Sequence, residues 1–290
     1  VRRALQAIAA AAIAALGACA TPSTPPAATS DRPETFADGT TMSALSAGGT
    51  VRIGVKTDVP GLGYRPPGAP ASQPPEGFEI ELARFVAGEL RIPEQGIQWV
   101  PMDTYDREGA LTGNKVDLVI ASYTMTDERA AVVGQIGPYY VTGQQIMVRD
   151  GSPITGLKDL DGKTVCSVAS SESDKALVAH GAITKAYTSY AACVDALLAG
   201  DLDAVSTDGA ILAGFLEAHP NSLSIVGEPF TTQRYGIGYR HGDIAMCRFL
   251  RATILEAYDQ GVWKAAFEST LGKSGIVAPI PPRPDDCPTG

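Results

Sequence analysis

The chain has 290 residues, of which 44% are hydrophobic, 19% charged and 7% aromatic. That composition excludes a globally disordered protein, and the length suits one or two domains. Against 32 acidic side chains stand 23 basic ones, net −9, with no basic run, so nucleic acid is excluded as a partner.

Val1-Arg2-Arg3 is followed by ten apolar residues, Ala7 to Leu16. A helix needs about 20 such residues to cross a bilayer, so the stretch reads as the core of a secretory signal peptide. It ends in Leu16-Gly17-Ala18-Cys19, which resembles the lipobox of bacterial lipoproteins. Residues 1–19 are therefore expected to be removed up to a lipidated Cys19 that anchors the protein to the membrane. Of the thirty residues from Ala20 to Gly49, 23 are Ala, Ser, Thr, Pro or Gly. With only Phe36, Met42 and Leu45 to bury, residues 20–49 are expected to form a disordered tether.

Val51–Val55 reads as a strand, and Phe78, Leu82, Phe85, Val86 and Leu90 follow at helical spacing. Glu79 and Glu81 open that helix where its dipole favours acids. Ile97–Val100 and Asp117–Ala121 read as strands on either side of another helix, and Thr126 caps the next. A second series comprises strand Thr164–Val168, helices 173–180 and 191–199, strand Asp203–Ser206 and helix 209–218. Gly236–Tyr239 is strand-like, and Ala245–Phe267 is one long helical pattern. Such alternation predicts an α/β protein with largely parallel sheets in two lobes.

Ligands of such sheets bind beyond the carboxyl ends of the strands. Asp58, Ser122, Thr124, Arg129, Ser170, Ser171, Glu172 and Asp208 all fall there. Taken singly, Thr126 and Asp208 read as helix caps, Arg129 as a surface ion-pair residue and Ser171 as a turn or cap residue. Taken together, Arg129 and Asp208 supply what a zwitterionic amino acid requires, a bidentate donor for its carboxylate and an acid for its ammonium. No Gly-rich phosphate loop, dinucleotide fingerprint or nucleophile arrangement is present, and no histidine stands at ligand spacing with a cysteine. No cofactor and no metal are expected. Four cysteines remain after Cys19, an even number that suggests two disulfides in an exported chain. Three pairings are possible; proximity favours Cys166 with Cys193 and Cys247 with Cys287, the second pinning the Pro-rich tail.

The motifs Gly77-Phe78-Glu79-Ile80-Glu81-Leu82, Val116 to Arg129, Pro138-Tyr139-Tyr140, Gly162-Lys163-x-Val165, Asp203-Ala204-Val205-x-x-Asp208 and Gly261-x-Trp263 occur in order. Over residues 50–275 the chain resembles the family 3 extracellular solute-binding proteins of amino acid ABC importers. It is most similar to the glutamate/glutamine-type lipoproteins of actinobacteria, through Lys56-x-Asp58-x-Pro60-Gly61 and the settings of Cys166 and Cys193. The resemblance implies a two-lobed periplasmic-binding-protein fold of type II, an α/β architecture with a two-segment hinge. Lobe 1 is then 50–142 plus 238–290, and lobe 2 is 143–237. It also implies that Arg129 and Thr124 hold the ligand α-carboxylate, and that Ser122 and Asp208 hold the ammonium. The second-lobe loop of the family reads Gly-Ser-Thr where this chain has Ser170-Ser171-Glu172.

The function implied is that of a lipid-anchored extracellular monomer, not an enzyme, that delivers an amino acid to a permease and ATPase. A sensing subunit of a membrane signalling system and a dehydratase on the same fold are the alternatives. Glutamate, glutamine, aspartate and asparagine are the expected ligands. Lys56 reads as a solvated lysine or as a partner for a side-chain carboxylate.

Overall fold

The computed structural model describes residues 35–289; the expected signal peptide, Cys19 and tether residues 20–34 lie outside them. Helix α1 (Thr41–Gly48) precedes β1 (Val51–Val55). A hairpin of β2 (Asp58–Val59) and β3 (Gly63–Tyr64) leads to α2 (Phe78–Glu89), β4 (Ile97–Pro101), α3 (Arg107–Thr112) and β5 (Leu118–Ile120). The short α4 (Asp127–Ala130) then feeds β6 (Gly134–Thr142). The second series is β7 (Gln144–Arg149), β8 (Thr164–Val168), α5 (Glu172–Val178), β9 (Ile183–Tyr187) and α6 (Tyr190–Ala199). It continues through β10 (Ala204–Asp208), α7 (Gly209–Ala218) and β11 (Leu223–Val226). The chain returns by β12 (Gln233–Tyr239), α8 (Ile244–Asp259) and α9 (Val262–Ser269).

Two five-stranded sheets result. The first has the order β4-β1-β5-β12-β6 and the second β11-β7-β10-β8-β9. In the first, β1 pairs in parallel with β4 and β5, whereas β12 runs antiparallel to β5 and β6. In the second, β8 is parallel to β9 and β10, whereas β7 is antiparallel to β10 and β11. The sheets are thus mixed rather than largely parallel. The antiparallel strands include β6, which carries Gly137 and Pro138, residues that argue against a strand when the pattern is read alone.

The crossings between the lobes fall between β6 and β7 and between β11 and β12. All of β12 belongs to the first sheet, so the expected boundary at 237/238 moves to before Gln233. Paired along most of its length with β6, this strand is held by its register rather than by its composition. Beside it, Phe78 lies within 6.3 Å, centroid to centroid, of Tyr139, Tyr140, Trp263 and Phe267. Trp263 donates its indole N–H to the carbonyl of Tyr139 at 2.8 Å, which satisfies the polar atom of this buried ring cluster.

Residues 36–49 are not a tether. Thr40 caps α1 by accepting from the Ser43 N–H, and Gly49 closes it in the left-handed region. Met42 is buried, Phe36 meets Phe249 edge-on at 5.7 Å, and the Thr41 hydroxyl donates to Asp243 at 2.5 Å. Few apolar side chains are enough because α8 offers a ready-made face, so the segment orders against existing structure rather than building its own core. The expected helix over 245–267 is two helices. Gly261, at φ 73°, breaks the pattern between α8 and α9.

Both disulfides, Cys166–Cys193 and Cys247–Cys287, are formed. The second holds the tail, helped by the Asp285 N–H donating to the Gly137 carbonyl and by Arg234 pairing with Asp285. Among the described residues no helix is long and apolar enough to cross a membrane, and no cluster of acidic, His or Cys side chains could hold a metal ion.

Candidate functional site

The carboxyl ends of β1, β5, β8 and β10 converge on a small cavity between the two sheets. Seven of the nine residues singled out in the sequence line it: Lys56, Ser122, Thr124, Arg129, Ser171, Glu172 and Asp208. Its walls are mostly polar, as a small zwitterion requires. Of the other two, Ser170 meets Arg129 through its carbonyl, and Asp58 stands behind Lys56. Its carboxylate pairs with the Lys56 ammonium at 3.2 Å and accepts from the Tyr190 N–H of the other lobe at 2.9 Å. Lys56 is not solvated; it is 1% exposed, its ammonium also meeting the Met102 carbonyl at 3.4 Å.

Ser122 follows β5 at φ 46°, a left-handed conformation that costs a non-glycine residue energy and needs outside support. The support is Glu79. Its buried carboxylate accepts from the Ser122 N–H at 2.7 Å, the Ser122 hydroxyl at 3.3 Å and the Tyr139 hydroxyl at 2.6 Å. Burial pushes the Glu79 carboxyl up, against the pull of these three donors. Of the two acids that open α2, only Glu81 keeps to the helix surface, where it pairs with Arg84 at 2.6 Å. Glu79 instead turns inward and shapes the loop after β5.

Arg129 is buried. Its Nη1 donates to the Thr124 carbonyl at 2.7 Å and its Nη2 to the Ser170 carbonyl at 3.3 Å. Its Nε lies 3.0 Å from Glu108, and its Nη2 lies 3.5 Å from Glu172 of the opposite lobe. Thr126 caps α4 as expected, accepting from the Arg129 N–H. Asp208 makes no cap. Its Oδ2 accepts from the Tyr235 hydroxyl at 2.5 Å and its Oδ1 from Ser173 at 3.3 Å. Burial raises the Asp208 carboxyl to about 6, although these two donors pull it back. Ser171 serves as the cap of α5, accepting from the Asp174 N–H.

Sequence reasoning passes over Arg107, which is 3% exposed and lines the same cavity. Its Nη1 donates to the carbonyls of Ala121 and Ser122, each at 3.1 Å, and its Nε to that of Thr104 at 3.0 Å. Its guanidinium lies 4.5 Å from the Tyr123 ring centroid, and that of Arg129 lies 5.2 Å from the same ring. Arg107 forms no ion pair among the described residues, and burial together with the Arg129 charge pushes its pKa down. The signal that would have found it is the strand-end rule applied to β4, since Arg107 opens α3, the helix that follows that strand. Thr104, Ala121, Ser173, Tyr190 and Gln233 complete the lining.

The chain matches the Bacterial extracellular solute-binding proteins, family 3, over residues 51–273. It is 32% identical to the glutamate-binding protein GluB of Corynebacterium glutamicum, over 79% of this chain and 81% of that protein. It is 29% identical to the ABC transporter glutamine-binding protein GlnH of Bacillus subtilis, over 80% and 84%. Among solved structures, an ancestral arginine-binding protein bound to glutamine is similar with a TM-score of 0.71, at 32% identity, over 77% of this chain and 98% of that one. These relatives are binding proteins by name, and the fold they share is the type II periplasmic amino acid-binding architecture. With two sheets joined by two crossings, a polar cavity at their converging ends and a match over most of its length, this chain belongs to family 3 of the bacterial extracellular solute-binding proteins.

Proposed function

We propose that the protein captures an α-amino acid with an acidic or amide side chain, of the glutamate, glutamine, aspartate and asparagine group, and delivers it to an ABC permease and its ATPase. In this reading Arg129 and Thr124 take the α-carboxylate, and Asp208 and Ser122 take the ammonium. Arg107 and Lys56 then face the side chain, with Asp58 holding Lys56 in place. A lipid on Cys19 keeps the monomer on the extracellular face of the membrane.

The observation that carries the reading is Arg107. Arg129 and Lys56 each stand beside a carboxylate of the protein, whereas Arg107 has carbonyls and the Tyr123 ring for partners and no ion pair among the described residues. A buried cation left in that condition is costly, and a ligand oxygen, anionic or amide, relieves it. The names of the similar proteins, glutamate-binding and glutamine-binding, support the same class.

A thermal-shift screen of the twenty amino acids tests it. Stabilisation is expected from this group of four ahead of all others. Selective stabilisation by arginine, lysine or histidine would overturn the ligand assignment. Calorimetry on Arg107→Gln is expected to weaken the acidic ligand more than its amide, since the substitution removes a charge and keeps a donor.

A further inference from the structure

Five side chains of alternating charge cross the mouth of the cleft. Glu108 pairs with Arg129 at 3.0 Å, Arg129 faces Glu172 at 3.5 Å, Glu172 meets Lys175 at 3.2 Å, and Lys175 pairs with Glu128 at 2.6 Å. Glu108, Glu128 and Arg129 stand on α3 and α4, in the lobe of the first sheet; Glu172 and Lys175 stand on α5, in the lobe of the second. The chain of charges therefore passes from one lobe to the other at Arg129–Glu172 and returns at Lys175–Glu128.

A guanidinium has five N–H groups in a fixed fork. In Arg129 one faces Glu108, one the Thr124 carbonyl and one the Ser170 carbonyl, and Nη2 is also the nitrogen nearest Glu172. A ligand carboxylate gripped by two parallel N–H bonds needs the side of the fork on which Glu172 stands. Two carboxylates cannot share it without strong repulsion at the reduced dielectric of a buried site. Glu172 has somewhere else to go, since Lys175 lies one helical turn along α5 and already touches it.

We propose that Glu172 is a built-in competitor for Arg129, and that Lys175 is the positioning residue that receives it when a ligand carboxylate arrives. The pair sets the affinity of the site: Glu172 weakens it, and Lys175 limits the weakening by offering the displaced carboxylate a second partner. The proposal rests on the reading of Arg129 as the carboxylate anchor. It adds a role for a residue that departs from the small hydroxyl expected in this loop.

The test is a double-mutant cycle in calorimetry, with L-glutamate and L-glutamine as probes and circular dichroism melts as the control for folding. Glu172→Gln, nearly isosteric, is expected to tighten binding about tenfold, equal to about 1.4 kcal/mol. Lys175→Gln is expected to weaken binding several-fold in the parent, and that loss is expected to shrink at least threefold when Glu172→Gln is also present. Unchanged or weaker binding by Glu172→Gln, or an undiminished Lys175→Gln loss in the double variant, would overturn the proposal. Arg129→Ala measured alongside separates the two readings. If it binds as the parent does, the anchor assignment has failed. If it loses binding while Glu172→Gln gains none, only the competitor has failed.

Discussion

Arg129 and Asp208 illustrate how a residue's surroundings decide its chemistry. Arg129→Ala is expected to cost about 2–5 kcal/mol of amino acid binding, the range for truncating one partner of a buried charged hydrogen bond. Calorimetry giving an affinity within about tenfold of the parent, a loss of only about 1.4 kcal/mol, would exclude the anchor role. Asp208 makes a prediction of opposite sign for binding and for folding. An ammonium ligand needs the carboxylate ionised, so affinity is expected to fall as pH drops through about 6, where burial has placed this group. Folding runs the other way. A carboxyl raised in the folded state above its unfolded value of 3.8 favours the fold fully below that value, and this contribution is lost as pH rises through about 6. Titration calorimetry and ligand-free melts across pH 4 to 8 check both; Asp208→Asn is expected to remove its share of each trend.

At the scale of elements, the strands and helices that carry the site follow from local pattern, and the departures have local causes. Val51, Ile53 and Val55, alternating with Arg52 and Gly54, make β1, and a Thr, Ser or Asp accepts at the N-cap of α1, α4, α5, α6 and α8. What the pattern hides is either interrupted, as β6 is by Gly137 and Pro138, or supported from outside, as α1 is by α8. The tail after the 3₁₀ turn Leu271–Ser274 has no regular structure and carries exposed Val277 and Ile280, so its position rests on the Cys247–Cys287 bridge, a few polar ties and the partial packing of Ile276 and Ala278. Replacing both cysteines by serine is expected to cost about 2–4 kcal/mol in denaturant unfolding. It should also open the segment after Leu271 to limited proteolysis, while leaving ligand affinity within a few-fold of the parent. Resistance to cleavage equal to the parent's would show that the polar ties suffice.

Across the whole molecule, the lobes meet away from the candidate site as well. Gly214 on α7 packs against the Pro60 carbonyl of the β2–β3 hairpin so closely that an added Cβ would lie 1.9 Å from that oxygen. Gly214→Ala is therefore expected to hold the lobes apart and weaken binding at least tenfold. The fold of each lobe should survive, because alanine suits a helix better than glycine. Small-angle scattering with saturating ligand reads the separation directly; a radius of gyration equal to the parent's would refute the contact's role. For the anchor, Cys19→Ala is expected to move the protein from the membrane fraction to the medium, and retention at the membrane would contradict lipidation.

Read alone, the sequence determines the α/β class, the strand ends that carry Ser122, Thr124, Arg129 and Asp208, and the cysteine pairing favoured by proximity. Each of these depends on short-range pattern: period, caps, spacing. It does not reveal that Glu79 turns inward while Glu81 stays on the surface, since both suit the first turn of a helix equally. Nor does it reveal that Arg107 is buried without an ion pair among the described residues, or that Glu172 faces Arg129 from the other lobe. Those facts depend on which groups are brought together across more than forty residues of chain or from the opposite side of a cleft. Only the tertiary structure decides them, because burial and pairing of a charge depend on every element packed around it rather than on its neighbours in sequence.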